Sequence, residues 1–173
     1  DIIERIGVGT SATVYLGQKD RLPVAVKMSN VQDTSESTQR RFRTEAALLQ
    51  QINSPYVVKA LDVGSYDHHP YAVLEYVAGE TLADRFKNGM TIDETLKIAL
   101  QLAQALSAIH ARGMIHRDLQ PANIFWLPED KTIKIIDFGL ATLAGLDAEN
   151  TTVGTVAYMS PEQARGEGNR VDR

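Results

Sequence analysis

The sequence predicts an α+β fold in which a β-rich first part precedes a mainly helical second part. Three patterns support this prediction. Residues 1–77 contain short β-type runs separated by turn-forming residues. Residues 91–112 have the apolar spacing of one long helix, and residues 124–136 read as two short strands about a turn. The change of pattern at Ala78-Gly79-Glu80 places a boundary between residues 1–77 and 78–173.

The composition narrows the class of protein. The chain has 173 residues, of which 43% are hydrophobic, and a formal net charge of -4. This size allows one compact domain or two small lobes. The mild acidity gives no reason to expect a nucleic-acid partner. Without cysteine, the chain has neither disulfides nor zinc–thiolate sites.

No apolar run in the sequence approaches the roughly 20 residues that span a bilayer. The opening residues also lack the features of a signal peptide. We therefore expect a soluble cytoplasmic domain, standing alone or as the cytoplasmic part of a larger membrane-anchored protein. The sequence indicates no particular oligomeric state.

The first two β-type runs, Ile2–Gly9 and Thr13–Gln18, flank the turn Gly9-Thr10-Ser11-Ala12. An ordinary hairpin turn is one interpretation of the glycines. Gly7 and Gly9 also allow the backbone to approach a phosphate chain with its N–H groups available. The second run is not a helix, which argues against a dinucleotide-binding glycine motif.

Pro23–Met28 is predicted to be a strand that carries Lys27 among apolar residues. Residues 34–52 have helical spacing, and their apolar stripe includes Glu45. A carboxylate on a buried face is costly unless it meets a cation, and Lys27 is the candidate partner.

Two further strands are predicted at residues 57–64 and 71–77, on either side of a turn at residues 67–70. Apart from Asp67, the histidines of that turn have no acidic or cysteine neighbours of the kind typical of a metal site.

The long helix begins with a capping box, in which Thr91 is followed three residues later by Glu94. Gly113 provides its stop signal. One apolar face comprises Leu96, Ala99, Leu100, Ala103, Leu106 and Ile109.

A polar loop, residues 116–123, follows the helix. The runs Ile124–Leu127 and Thr132–Ile136 then form a predicted hairpin that ends at Asp137-Phe138-Gly139. Pairing of these runs brings Asn123 and Asp137 together at the open end, with Asp118 close by. Hard oxygen ligands of this kind suit Mg²⁺ that also holds phosphate, and Asp118 can accept a proton from a hydroxyl. Each residue alone is also a common turn former.

His116-Arg117-Asp118-Leu119, Asn123 and Asp137-Phe138-Gly139 together resemble the catalytic loop and metal-binding turn of the eukaryotic-type, or Hanks-type, protein kinases. Residues 7–14 are similar to the glycine-rich loop of that family. Residues 154–162 resemble the end of its activation segment, and their sequence is most like that of the bacterial serine/threonine kinases. The resemblance implies a two-lobe kinase fold with an antiparallel N-lobe (residues 1–77) and a partial, mainly helical C-lobe (residues 78–173).

The family's domain continues through further helices beyond the point that corresponds to Arg173. The resemblance therefore implies an exposed apolar patch on the Leu96–Ile109 helix of this chain.

The resemblance also implies the cofactors ATP and Mg²⁺ and a protein substrate with a serine or threonine hydroxyl. Asp118 would be the base, and Asn123 and Asp137 the metal ligands. Lys27 would hold the phosphates, with Glu45 positioning it. Leu74 would line the adenine pocket, and Glu75 and Val77 would offer it backbone hydrogen bonds. The implied nucleotide site comprises Ile6, Gly7, Val8, Gly9, Thr10, Val14, Ala25, Lys27, Leu74, Glu75, Val77, Phe125 and Asp137.

Three positions depart from the family's usual pattern. Ala12 replaces the third glycine of the loop, Ser160 replaces an alanine, and Gln120 replaces the lysine that places a positive charge near the transferring phosphate. Thr151 and Thr152 are candidate phosphorylation sites whose phosphate would pair with Arg117.

The leading hypothesis is a serine/threonine protein kinase. The neutral Gln120 keeps open an alternative, a pseudokinase that binds ATP as a regulatory module with weak or no phosphotransfer. A small-molecule kinase would share the aspartate–asparagine loop, but it does not explain residues 154–162.

Overall fold

The structure is a computed structural model that describes residues 1–9, 12–30, 47–137, 142–143 and 155–166. The chain forms two compact units. Unit 1 comprises residues 1–51 and 58–77, and unit 2 comprises residues 52–57 and 78–173. The positions predicted at Thr10, Glu45, Phe138-Gly139, Thr151 and Thr152 lie outside the described residues.

Unit 1 contains a five-stranded antiparallel sheet, as expected for the α+β class. Its strands are β1 (Ile2–Val8), β2 (Ala12–Lys19), β3 (Leu22–Ser29), β4 (Ala60–Tyr66) and β5 (His69–Glu75), in the order β1-β2-β3-β5-β4. A buried cluster of valines covers one face of the sheet, and Tyr15 and Tyr71 pack against it. The valines are Val24, Val26 and Val73.

The predicted start of β4 was wrong. The strand begins at Ala60, and Val57 instead makes a parallel bridge to Ile135 within unit 2. The Ile135 amide donates to the Tyr56 carbonyl over 2.9 Å. The Tyr56 carbonyl therefore finds its donor on a strand that lies almost 80 residues further along the chain, whereas the Val57 amide donates to the Ser54 carbonyl over 3.4 Å.

The turn between β4 and β5 is also shorter than predicted. Only Asp67 and His68 form it, and their φ values of 47° and 63° are those of a two-residue hairpin turn. His69 and Pro70 belong to β5. The His69 Nδ1 atom lies 2.9 Å from the Ser29 carbonyl oxygen, so this ring links two strands of the sheet.

The described part of unit 2 combines short strands with three α-helices and two short 3-10 helices, Pro121–Asn123 and Val156–Tyr158. The strands are β6 (Glu80–Thr81), β7 (Met114–Ile115), β8 (Ile124–Leu127), β9 (Thr132–Ile135) and β10 (Thr142–Leu143). The helices are α1 (Leu82–Lys87), α2 (Ile92–His110) and α3 (Pro161–Ala164). The β6-β8-β9 sheet pairs antiparallel, and β7 pairs with β10. The most deeply buried side chains include Leu82, Ile109, Met114, Ile133 and Ile135.

The predicted boundaries of α2 are confirmed to within two residues. The Glu94 amide donates to the Thr91 hydroxyl over 3.2 Å, and the Thr91 amide donates to the Glu94 carboxylate over 2.9 Å. These hydrogen bonds form the predicted capping box, and the bond from the Thr91 backbone lowers the pKa of Glu94. Gly113 has a φ of +72°, a conformation that favours glycine after a helix.

Helix α2 has apolar residues on more than one face. Ile98, Ala105 and Ile109 are buried, whereas Leu96 and Leu100 are 63% and 61% exposed. The exposed apolar patch expected on this helix is therefore present. No helix among the described residues has the length and apolar character needed to cross a membrane.

The two leucines and Ile98 offer a matched stability test. We expect the double substitution Leu96→Gln and Leu100→Gln to reduce binding of a hydrophobic dye to the chain, because it removes exposed apolar surface. Thermal unfolding should change little. Ile98→Ala, which cuts a buried side chain on the same helix, should lower the free energy of unfolding by about 2–5 kcal/mol. Unchanged dye binding in the double variant would contradict the exposed patch.

Candidate active site

The glycine-rich segment forms the end of the β1–β2 hairpin. The Gly9 amide donates to the Ala12 carbonyl over 2.8 Å, which closes the turn. Ala12 is buried, and it pairs with Ser29 as the first residue of β2. The alanine at the third glycine position is thus part of a strand, where its methyl group is accommodated.

Asn30, immediately after β3, holds this hairpin from the side. The Asn30 amide group donates to the Gly9 carbonyl over 2.8 Å and accepts from the Thr13 hydroxyl over 2.7 Å. One side chain thus connects the two strands of the hairpin near its turn. No pattern in the sequence distinguished Asn30 from an ordinary loop asparagine.

The sheet register brings several predicted nucleotide-binding residues to one face. Lys27 on β3 pairs with Val14 on one side, and Ala25 pairs with Leu74 on the other. Directly opposed residues point to the same face, and side chains along a strand alternate. Val14, Ala25, Lys27 and Leu74 therefore share the face opposite the valine cluster.

Lys27 is half-buried at the centre of this face. Its expected partner, Glu45, lies outside the described residues. Positions 47–50, at the end of the segment predicted to be this helix, are helical. Leu49 and Ile52, which belong to the apolar stripe of residues 34–52, are buried. The ion pair between Lys27 and Glu45 stays a prediction.

The end of β5 is anchored to the segment before β4. The Glu75 amide donates to the Lys59 carbonyl over 3.0 Å, and the Glu75 carboxylate accepts from the Lys59 amide over 2.8 Å. The Glu75 N–H already donates to Lys59, so a ligand would form a backbone hydrogen bond here by donating to the Glu75 carbonyl. Leu74 is buried, and Val77 is half-buried.

In unit 2, the hairpin of β8 and β9 forms with the predicted turn at residues 128–131. Ile124 pairs with Ile135, and the Ile136 amide donates to the Asn123 carbonyl over 3.0 Å. Asn123 thus lies opposite Ile136, one residue before Asp137. The hairpin places Asn123 and Asp137 at the same open end. Phe125 is half-buried in β8, between Thr81 and Lys134.

The Asp118 carboxylate accepts three hydrogen bonds from described residues. Its Oδ1 atom accepts from the Thr155 amide over 2.8 Å. Its Oδ2 atom accepts from the Asn123 side chain over 2.9 Å and from the Gln120 side chain over 3.0 Å. A carboxylate has about four lone-pair sites, so this arrangement leaves room for one further donor such as a hydroxyl.

Each of these three donors is neutral. Gln120 also donates to the Thr155 hydroxyl over 2.5 Å, so its amide bridges Asp118 and Thr155. Gln120 therefore lies beside the carboxylate, where the family's lysine would bring a positive charge. It supplies hydrogen bonds at that point without supplying the charge.

The donor set at the open end of the hairpin fits Mg²⁺. The Asn123 NH₂ group donates to Asp118, which leaves its amide oxygen as a hard ligand. Asp137 would contribute a carboxylate. Mg²⁺ is commonly held by one or two protein oxygens together with phosphate oxygens and water, so this pair suits the ion.

The segment that carries Thr155 is tied to the catalytic loop at a second point. The Gln163 side chain in α3 donates to the Arg117 carbonyl over 2.8 Å. Ser160 caps α3, and its hydroxyl accepts from the backbone N–H of Gln163 over 3.4 Å. A hydrogen bond from Ser160 also lowers the pKa of Glu162. The serine in place of alanine is thus explained, because alanine cannot provide these bonds.

The fold agrees with the comparisons to known proteins. The protein kinase domain family matches residues 1–172, and the chain belongs to that family.

Among curated proteins, the chain is 37% identical over 176 residues to the probable serine/threonine-protein kinase PknB of Lactococcus lactis, covering 95% of the chain and 28% of that protein. It is 34% identical to a probable serine/threonine-protein kinase of Clostridium perfringens, covering 96% of the chain and 25% of that protein. It is 36% identical to the serine/threonine-protein kinase PknF of Mycobacterium tuberculosis, covering 95% of the chain and 38% of that protein. The chain therefore spans well under half the length of these relatives.

Proposed function

We propose that this chain carries the ATP-binding and catalytic elements of a serine/threonine protein kinase, which transfers the γ-phosphoryl group of ATP to a protein hydroxyl. The observation that carries the proposal is the Asp118 carboxylate. It is held by Thr155, Gln120 and Asn123, and the proposed metal ligands Asn123 and Asp137 lie at the open end of the hairpin that follows. The named relatives support the serine/threonine class.

In this proposal, Asp118 is the base that acts on the substrate hydroxyl. Its carboxylate would accept a hydrogen bond from the hydroxyl and orient the oxygen towards the γ-phosphorus. It would take up the proton as the new O–P bond forms and the bond from the γ-phosphorus to the bridging oxygen breaks, with ADP as the leaving group. The three neutral donors fix the position of the carboxylate before the substrate arrives. Positioning of this kind supplies much of the catalysis in phosphoryl transfer.

The remaining roles concern the nucleotide. Asn123 and Asp137 would hold Mg²⁺, and Lys27 would hold the α- and β-phosphates. When bound, Mg²⁺ neutralises charge that develops on the phosphate oxygens. The glycine-rich turn of the β1–β2 hairpin, held by Asn30, would lie close to the phosphates. The Gly9 amide itself already donates to the Ala12 carbonyl.

The test is phosphotransfer by the full-length protein with Mg²⁺ and ATP. A mixed set of serine, threonine and tyrosine peptides serves as acceptor. We expect phosphoserine and phosphothreonine, and no phosphotyrosine. Nucleotide binding without phosphopeptide would instead support the pseudokinase alternative, which the neutral Gln120 suggests. Phosphotransfer to a small-molecule hydroxyl alone would contradict both.

Gln120 provides a prediction about rate. A lysine at this position would keep a donor near Asp118 and Thr155 and add a positive charge near the transferring phosphate. Since one preorganised charge-stabilising group often contributes about 10²- to 10³-fold, we expect Gln120→Lys to raise kcat at least about tenfold.

Gln120→Met is the matched control, because it removes the donor and adds no charge. Its kcat should fall below that of the wild type. A kcat for Gln120→Lys that equals or falls below the wild-type value would show that the neutral amide suffices at this site.

A further inference from the structure

We propose that Gln163 is a positioning residue for Asp118, acting through the peptide bond that joins Arg117 to Asp118. The inference rests on the proposed phosphotransferase function. It starts from the backbone at Arg117, which has a φ of +61°. This left-handed conformation is disfavoured for a residue with a side chain, so the surroundings must hold it in place.

Two side chains hold the peptide that follows this strained residue. The Gln163 side-chain NH₂ group donates to the carbonyl oxygen of this peptide, which belongs to Arg117, over 2.8 Å. The N–H of the same peptide, that of Asp118, donates to His116 Nδ1 over 3.4 Å. Because a peptide unit is planar, fixing its oxygen and its hydrogen fixes its orientation. That orientation sets the direction in which the Asp118 side chain leaves the backbone.

The amide of Gln163 is itself oriented. Its Oε1 atom accepts from the Ser160 amide over 3.2 Å as part of the α3 capping box. With the oxygen directed at Ser160, the NH₂ group is directed at Arg117. Only a side chain with both an acceptor and a donor at its end can make these two bonds, and glutamine is the residue that reaches both here.

The geometry couples two segments that are distant in sequence. Gln163 lies 46 residues after Arg117, and Thr155 lies 37 residues after Asp118. The Thr155 amide fixes the carboxylate of Asp118, whereas Gln163 fixes the backbone that carries it. A displacement of the segment 155–163 would therefore disturb the base at both its side chain and its main chain.

Gln163→Glu is the sharpest test. Glutamate has the same shape and still accepts from Ser160, but it places an oxygen against the Arg117 carbonyl. In the full-length protein we expect kcat for peptide phosphorylation to fall about tenfold, while the KM for ATP and the Tm change little. Gln163→Met loses the donor without adding charge, and it should also lower kcat.

Ser160→Ala is the matched control, because it weakens the α3 cap and leaves Gln163 able to reach Arg117. Its kcat should stay within about twofold of the wild type. A kcat for Gln163→Glu and Gln163→Met within twofold of the wild type would overturn the proposal. So would an equal fall in kcat for Ser160→Ala, since the cap alone would then explain the effect.

Amide hydrogen exchange separates this inference from the proposed function. We expect Gln163→Glu to speed exchange of the Asp118 amide about tenfold, with α2 amides unchanged. If the wild-type protein transferred no phosphate, the proposed function would fail. Faster exchange of the Asp118 amide in the variant would still support the role of Gln163 in holding the Arg117–Asp118 peptide. An unchanged exchange rate of the Asp118 amide would refute this role of Gln163, whether or not the protein is active.

Discussion

We expect Asp118→Asn to lower kcat for phosphoryl transfer by about 10²- to 10⁴-fold, the range expected for loss of a general base. Asparagine fits the same space but cannot take up the proton of the substrate hydroxyl. It also replaces one acceptor oxygen with an NH₂ group. That group would then oppose the amide of Thr155 on one side, or the amides of Gln120 and Asn123 on the other.

The measurement compares kcat of the variant and the wild type in the full-length protein, with binding of Mg²⁺ and ATP measured alongside. Asp130→Asn is the control, because Asp130 lies in the exposed turn between β8 and β9. The control should keep kcat within about twofold. An Asp118→Asn variant that retains more than a tenth of the wild-type kcat would exclude Asp118 as the base.

Lys27→Met should lower kcat/KM for ATP by about 10²- to 10³-fold, as expected when one preorganised charge is removed from a phosphate site. Methionine retains the apolar part of the side chain at the centre of the sheet. The lost activity would therefore reflect the ammonium group and not the packing of β3. The free energy of unfolding should change little.

Lys19→Met is the matched control on the same sheet. The Lys19 ammonium group lies 2.7 Å from Asp62, but both side chains are exposed, and surface ion pairs of this kind contribute little. Its kcat/KM for ATP should stay within about twofold of the wild type. Equal losses in the two lysine variants would mean that neither lysine has a specific role with the phosphates.

Features determined by local chemistry could be predicted from the sequence. The capping box of α2 needs only Thr91 and Glu94 three residues apart, and the β8–β9 hairpin follows from two apolar runs about a turn. The exposed leucines of α2 followed from the family resemblance. The face shared by Val14, Ala25 and Lys27 follows once the strands are paired in register.

Features that depend on contacts between distant residues were not predicted. The start of β4 was placed too early because Val57 is β-branched and apolar, whereas it makes a parallel bridge to Ile135, with which it shares unit 2. Thr155 and Gln163 contact the catalytic loop across 37 and 46 residues. Their types suit turns and caps as well as functional sites, so no periodic pattern distinguishes them.

The assignment of Asp118 is tested most directly by a crystal structure of the full-length protein with Mg²⁺, a non-hydrolysable ATP analogue and a serine peptide. We predict that the seryl oxygen lies about 3 Å from the Asp118 carboxylate. We also predict that Mg²⁺ is bound by the Asn123 amide oxygen and the Asp137 carboxylate. A seryl hydroxyl that contacts a different base, or a metal ion held by other residues, would contradict the assignment.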